Sequence, residues 1–213
     1  MTPPGMNRAS DSERREPLKL GVLVSGNGSN LQAILDAIAG GALHAEVKIV
    51  ISSKPDVPAL ERAAKAQVPA LALPHKQFSS REEFDRALVG ALRNAGVDWI
   101  VLAGFMRVLT NEFLSAFAGR IVNIHPALLP AFPGVNAVQQ ALDYGVKVTG
   151  CTVHYVDHGV DTGKIIAQRA IAVLPNDSHD SLATRMHAAE HELFVSVLKD
   201  IAAGLVAPLA AEG

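Results

Sequence analysis

Two polar residues, Asn123 and His125, stand two apart in the run RIVNIHPALLPAFPG, residues 120–134. Side chains two apart on an extended chain share a face, so an amide and an imidazole point the same way after the short apolar strand Ile121-Val122. Pro126, Pro130, Pro133 and Gly134 then make a stiff, non-helical connection, because each proline fixes its own φ and restricts the residue before it. An amide and a protonated imidazole held still in this way suit the stabilisation of a developing oxyanion. Asp157 and Asp161, in the Gly-flanked loop DHGVDTG, are the carboxylates free to swing toward His125 and keep it protonated. A structural histidine at a strand end is the competing reading. Leu129-Pro130 is expected to be cis, since a tight proline-rich turn at a site is where such bonds occur.

A second stretch, SGNGSN at 25–30, places glycines between an apolar run and a helical pattern. Backbone N–H groups in such a turn bind phosphate through unpaired donors and the helix dipole. It is neither a Walker A loop, lacking Gly-Lys-Ser/Thr, nor the dinucleotide fingerprint, since Leu31 stands where the third glycine belongs. An ordinary tight turn would also explain it. A third pattern, His187-Ala-Ala-Glu190-His191, has the spacing of a helical zinc motif, but no third ligand is evident. A polar helix face that hydrogen-bonds a ligand accounts for it as well. His44, His75 and His179 fall in loops or near element ends and are expected to be solvated, and His154 faces away from Val153 on its strand. Cys151 lies within a strand and reads as packing rather than as a nucleophile.

Alternating strands and helices must position these residues. Residues 18–26, 46–52, 69–73, 98–103 and 121–122 read as strands, and helices are expected after SGNGSN, over 59–67, from Ser79 or Ser80, and over 111–118. Beyond Gly134 come a short helix (NAVQQALDYG), two strands over 147–156 and 164–173 that pair as a hairpin, and a long helix over 178–204. The pattern predicts an α/β, Rossmann-like fold: a mostly parallel twisted sheet with helices on both faces, then a hairpin and long helix. Such sheets bind ligands at the carboxyl ends of their strands, near a switch in strand order. SGNGSN, GFMRVL and NIHPALLP all sit there, which groups them as one site.

The 213 residues suffice for one core, expected over 18–204 between a disordered, charged and Pro-rich tail (1–17) and a trailing tail (205–213). A formal charge of −2 with scattered basic residues argues against a nucleic-acid partner. No apolar run approaches the ~20 residues that span a bilayer, and the N-terminus has no signal-like apolar segment. With a single cysteine, this composition points to the cytoplasm.

SGNGSNLQAI, LAGFMR, NIHP with LLP and FPG, GCTVH and the VDTG loop together resemble phosphoribosylglycinamide formyltransferase, in order from about Leu18 to Gly204. The resemblance implies a folate-dependent step of purine synthesis with 10-formyltetrahydrofolate as co-substrate and no metal. It implies a catalytic trio of Asn123, His125 and Asp161. Gly28, Ser29 and Asn30 would hold the phosphate side of phosphoribosylglycinamide, with Glu190 on the ribose and His187 as a further substrate contact. Met106, Arg107, Val108 and Leu109 would bind folate, Arg81 would reach its glutamate tail, and Asn123 and the 157–161 loop with Asp157 would close on the pterin. The partners implied are these two small molecules, on a monomer or homodimer. Ala127 departs from the family's serine, which puts a local loop hydrogen bond in question, and Asn136 and Val138 depart from a common histidine nearby.

Four other readings compete. A 10-formyltetrahydrofolate deformylase-like hydrolase would share the folate half, but the ~17 residues before the first strand are expected to be too few for its regulatory domain. A methionyl-tRNA formyltransferase would need an RNA-binding extension and a basic surface. A nucleotide-binding module would leave Asn123, His125 and Asp161 unexplained, and a zinc hydrolase would leave the other motifs idle.

Overall fold

The computed structural model describes residues 16–210. The order is β1 (Leu18–Val24), α1 (Ser29–Ala39), β2 (Ala45–Ser52), α2 (Pro58–Lys65), β3 (Ala70–Ala72), α3 (Arg81–Asn94) and β4 (Trp99–Leu102), then α4 (Asn111–Ala116), β5 (Ile121–His125), α5 (Ala137–Tyr144), β6 (Val148–Tyr155), β7 (Ile165–Ala172) and α6 (His179–Ala202). One sheet runs β3-β2-β1-β4-β5-β6-β7. The first five strands pair in parallel, and β6 and β7 run antiparallel as the expected hairpin. The strand order turns back between β1 and β4, so the ends of β1, β4 and β5 open onto the switch point.

Alternation along the strands divides the core into two layers. Leu20, Val22, Val101, Val122 and Ile124 pack toward α1 and α6, while Leu23, Ile100, Leu102 and Ile121 pack toward α3 and α4. Counting on from Ile121 by twos reaches Asn123 and then His125. The α3/α4 face of β5 is thus apolar at its root and polar at its tip.

β5 runs from its apolar start at Ile121-Val122 through His125, as the shared face of Asn123 and His125 requires, and stays paired with β6 at Asn123↔His154 and His125↔Thr152. Several boundaries differ from the sequence reading. α4 ends at Ala116 rather than 118, α6 spans 179–202, and Ser80, not Ser79, caps α3 by accepting from Glu83 N. Most of the expected N-terminal tail, residues 1–15, lies outside the described residues, as do 211–213. Within 205–210, Leu209 N donates to Gly119 O (3.0 Å) and the Tyr155 hydroxyl to Ala207 O (2.6 Å), tying that stretch to the body.

Candidate active site

Asp161 is the hub of the site. Its φ of +56° is left-handed, a conformation that aspartate tolerates better than most residues. Gly134 N–H donates to its Oδ2 at 2.8 Å, and His125 Nδ1 lies 3.2 Å from the same oxygen. Asn123 Nδ2 reaches Oδ1 at 3.4 Å, and His154 Nε2 lies 3.6 Å from it. Burial by itself raises the Asp161 carboxyl; the His154 contact, the Gly134 N–H and the neighbouring imidazoles outweigh it and hold the group below its ordinary value. Of the two carboxylates that the sequence left open, only Asp161 meets His125. Asp157 instead caps its own loop, accepting from Gly159 N (3.1 Å) and Thr162 Oγ1 (2.7 Å).

The expected sharing of a face by Asn123 and His125 holds, and both meet Asp161. His125 Nε2 donates to Phe132 O at 2.8 Å, so the proline-rich connection itself orients the ring. With acceptors at both nitrogens, a ring protonated on each satisfies both contacts. His154 is a member that spacing did not single out. It is buried, its Nδ1 donates to Tyr155 O (2.7 Å), and its Nε2 lies 3.2 Å from Asn123 Nδ2 as well as 3.6 Å from Asp161 Oδ1. The Asn123 amide nitrogen thus lies between His154 Nε2 (3.2 Å) and Asp161 Oδ1, which it reaches at a long 3.4 Å. The signal that could have found His154 is the β5–β6 register.

The turn at Ala127 is held by side chains from the neighbouring strands. Thr152 Oγ1 donates to Ala127 O (2.7 Å) and accepts from Leu129 N (3.0 Å), and Gln168 Nε2 reaches Leu129 O (2.9 Å). Leu129-Pro130 is cis, as expected of this turn.

On the folate side, a cavity of about 450 Å³ is lined by Leu102, Gly104–Leu109, Asn123, His125 and loop residues 157 and 159–161. Met106 and Val108 are exposed, whereas Leu109 is buried. Arg81 Nη2 donates to Val108 O (2.9 Å), Asp85 Oδ2 accepts from Thr110 N (2.6 Å), and Ser25 Oγ accepts from Met106 N (2.9 Å), so three side chains hold the Met106–Thr110 backbone. A larger cavity of about 750 Å³ lies at the other end of β2, against Val47, Val68 and Ala91. Its walls are mostly apolar, with an exposed Glu46–Lys48 pair and no catalytic cluster, so the smaller cavity is the chemical one.

On the β1 side, Gly28 caps α1 at φ +76° without a side-chain cap, leaving the first-turn N–H groups at Ser29 and Asn30 available to an anion. A Cβ at Gly28 would come within 2.7 Å of Ala59 Cβ, which makes glycine necessary here. Gly28→Ala is therefore expected to cost about 1–3 kcal/mol in unfolding free energy and to weaken inorganic phosphate binding; urea unfolding and a phosphate titration check both. Arg62, which sequence reasoning missed, braces the turn through Asn27 O (2.9 Å), Asn27 Oδ1 (2.7 Å) and Gln32 Oε1 (3.2 Å).

Glu190 enters this side from α6. It is buried and accepts from Asn30 Nδ2 at 3.3 Å, and burial pushes its carboxyl up to about 7 against that hydrogen bond. Asn30 Oδ1 is buried without a partner, an acceptor with no described donor. The His187 and His191 rings stack at 6.5 Å between centroids, but Glu190 turns away to Asn30. Among the described residues, no group of three or more His, Cys, Asp or Glu side chains is placed to hold a metal. His187 is exposed and His191 half-buried, and burial and His187 lower the His191 imidazole. His44 and His179 are exposed as expected, while His75 is half-buried against Ser53 O. Burial pushes the Cys151 thiol up to about 12, which suits packing rather than nucleophilic attack.

A mostly parallel sheet ending in an antiparallel hairpin, with an Asn–His–Asp cluster beside a glycine turn, defines an α/β group-transfer fold. The formyl transferase family model matches residues 18–198, and the chain belongs to that family. It is 43% identical to the phosphoribosylglycinamide formyltransferase of Bacillus subtilis over 86% of this chain and 94% of that one. The crystal structure of glycinamide ribonucleotide transformylase 1 from Symbiobacterium toebii superposes with a TM-score of 0.89 at 46% identity, covering 94% of this chain and 93% of that one. A trifunctional purine biosynthetic protein of Drosophila melanogaster is 51% identical over 92% of this chain, which spans only 15% of that relative's length.

Proposed function

We propose that this chain transfers the formyl group of 10-formyltetrahydrofolate to the amine of 5′-phosphoribosylglycinamide, in purine biosynthesis. The carrying observation is that the Asn123–His125–Asp161 cluster lines the same cavity as Met106–Leu109, and that Ser25, which opens the glycine turn after β1, accepts from Met106 N in that wall. The amine nitrogen attacks the formyl carbon, N10 of the folate leaves, and the amine's proton passes to N10. Asn123 Nδ2 and His125 Nδ1–H supply the donors for the oxyanion; in the free protein they face the two carboxylate oxygens of Asp161, Oδ1 and Oδ2 respectively. Asp161, held ionised, orients the imidazole and takes part in the proton transfer, directly or through water.

Gly28, Ser29 and Asn30 hold the phosphate, and Glu190 accepts from the ribose hydroxyls with His187 beside it. Met106, Arg107, Val108 and Leu109 flank the pterin, and Asn123 and the loop bearing Asp157 close over it. Arg81 offers its remaining N–H groups to the folate tail, a role supported by its hold on the Val108 carbonyl. The reading takes the chain to act in the cytoplasm, as a monomer or homodimer, on small molecules and without nucleic acid or membrane. No described helix is long and apolar enough to cross a membrane. The test is a product assay with 10-formyltetrahydrofolate, with and without phosphoribosylglycinamide. Formyl transfer that requires the amine is the expected result; equal folate turnover without it would replace the transferase by the deformylase-like hydrolase.

A further inference from the structure

The loop from Asp157 to Gly163 carries Asp161, and its anchorage is sparse. Tyr155 N donates to Lys164 O (2.9 Å) and closes its base, while the Asp157 contacts to Gly159 and Thr162 lie within the loop. On the catalytic side the loop meets the body through Asp161 itself. On the opposite side, His158 Nδ1 donates to Asn111 Oδ1 at 2.6 Å. Asn111 is the first residue of α4, directly after the backbone that Arg81 and Asp85 grip at Val108 and Thr110. The loop is therefore braced between two walls: the reacting cluster and the end of the Met106–Leu109 segment.

We propose that His158 and Asn111 are positioning residues, a latch that fixes the loop so that Asp161 keeps its left-handed conformation against His125. This rests on the formyl-transfer reading for its consequence in catalysis, but the latch itself is a property of the free protein. Asp161 pairs with His125 only if the loop is held, and a left-handed residue persists where its surroundings over-determine it. The two side chains are exposed, so the contact competes with water and its expected effect is modest. The latch also ties the loop to the folate segment, so the two walls of the cavity are held as one unit.

The test compares wild type, Asn111→Ala, His158→Ala, the double variant and Asn111→Asp. Hydrogen–deuterium exchange of a peptide spanning 157–163 is measured in the free protein, and kcat and both KM values are measured in the formyl-transfer assay. Each alanine variant is expected to speed exchange about fivefold and to lower kcat by a similar factor, with the KM for the phosphoribosyl substrate unchanged. The double variant matches the single ones, and Asn111→Asp, which keeps the acceptor oxygen, restores wild-type behaviour. Unchanged exchange in both single variants, or effects that add in the double variant, overturns the latch. If wild type itself forms no formyl product, the formyl-transfer reading fails while the exchange data still judge the latch.

Discussion

His125→Ala lowers kcat by at least about 10²-fold, and Asp161→Asn does the same, with both proteins folded. His125 contributes a buried donor aimed at a negative oxygen, at 3.2 Å from Asp161 Oδ2. Losing one such donor typically costs about 10²–10³ in rate, because the others cannot move to replace it. Asp161→Asn is the sharper variant. Asparagine matches aspartate in shape and tolerates φ +56°, so the loop keeps its path. The amide, however, carries no charge opposite His125, and one of its ends must face donors at Gly134 N or Asn123 Nδ2. The Asp161 carboxyl is held below its ordinary value of 3.8 in the folded protein. Its contribution to stability is thus fully present above 3.8 and lost as pH falls through the folded value, so both variants are compared with wild type at neutral pH. Steady-state rates with thermal melts on the same samples decide the matter. A near-wild-type kcat for either variant removes that residue from the chemistry.

The sequence made one strand legible and hid its neighbour. A spacing of two is enough to put Asn123 and His125 on one face, because strand period is a property of the backbone. Asp161 was legible only as one of two carboxylates in a glycine-flanked loop; its left-handed φ and the Gly134 N–H select it, and neither is written in spacing. His154 was invisible for a different reason. Its alternation was read correctly, facing away from Val153, but which residue lies beside it depends on the β5–β6 register, Asn123↔His154. Registers are set by whole-sheet packing, not by the local run. Ala127 shows the same limit from the other side: its turn is held through the Ala127 carbonyl by Thr152, 25 residues away. The contact between Asn30 and Glu190, separated by 160 positions, could be reached only through resemblance to relatives.

That distant pair carries the second large effect. Glu190 has an ordinary value of 4.5 and is pushed up to about 7 by burial, so between those values the folded protein keeps a proton that the unfolded chain has released. Folding takes up that proton, and the stability it brings is full below 4.5 and lost as pH rises to about 7. At ~1.4 kcal/mol per pH unit, the loss across this window amounts to about 3 kcal/mol. Glu190→Gln has nothing to ionise, keeps the shape and still offers an oxygen to Asn30. The variant is therefore expected to match wild type near pH 4.5 and to exceed it by up to about 3 kcal/mol at pH 8. Denaturant unfolding of both proteins across this range isolates Glu190, because the other groups titrate alike in the two. Function runs the opposite way. A carboxylate accepts hydroxyl hydrogens better than a carboxylic acid or an amide does, so the wild-type KM for phosphoribosylglycinamide falls as pH rises through about 7, while that of Glu190→Gln stays high and flat. Parallel stability curves for the two proteins would mean that Glu190 is ionised in the fold throughout. Diverging curves with identical KM profiles would place the buried carboxylate in the core alone, away from the ribose.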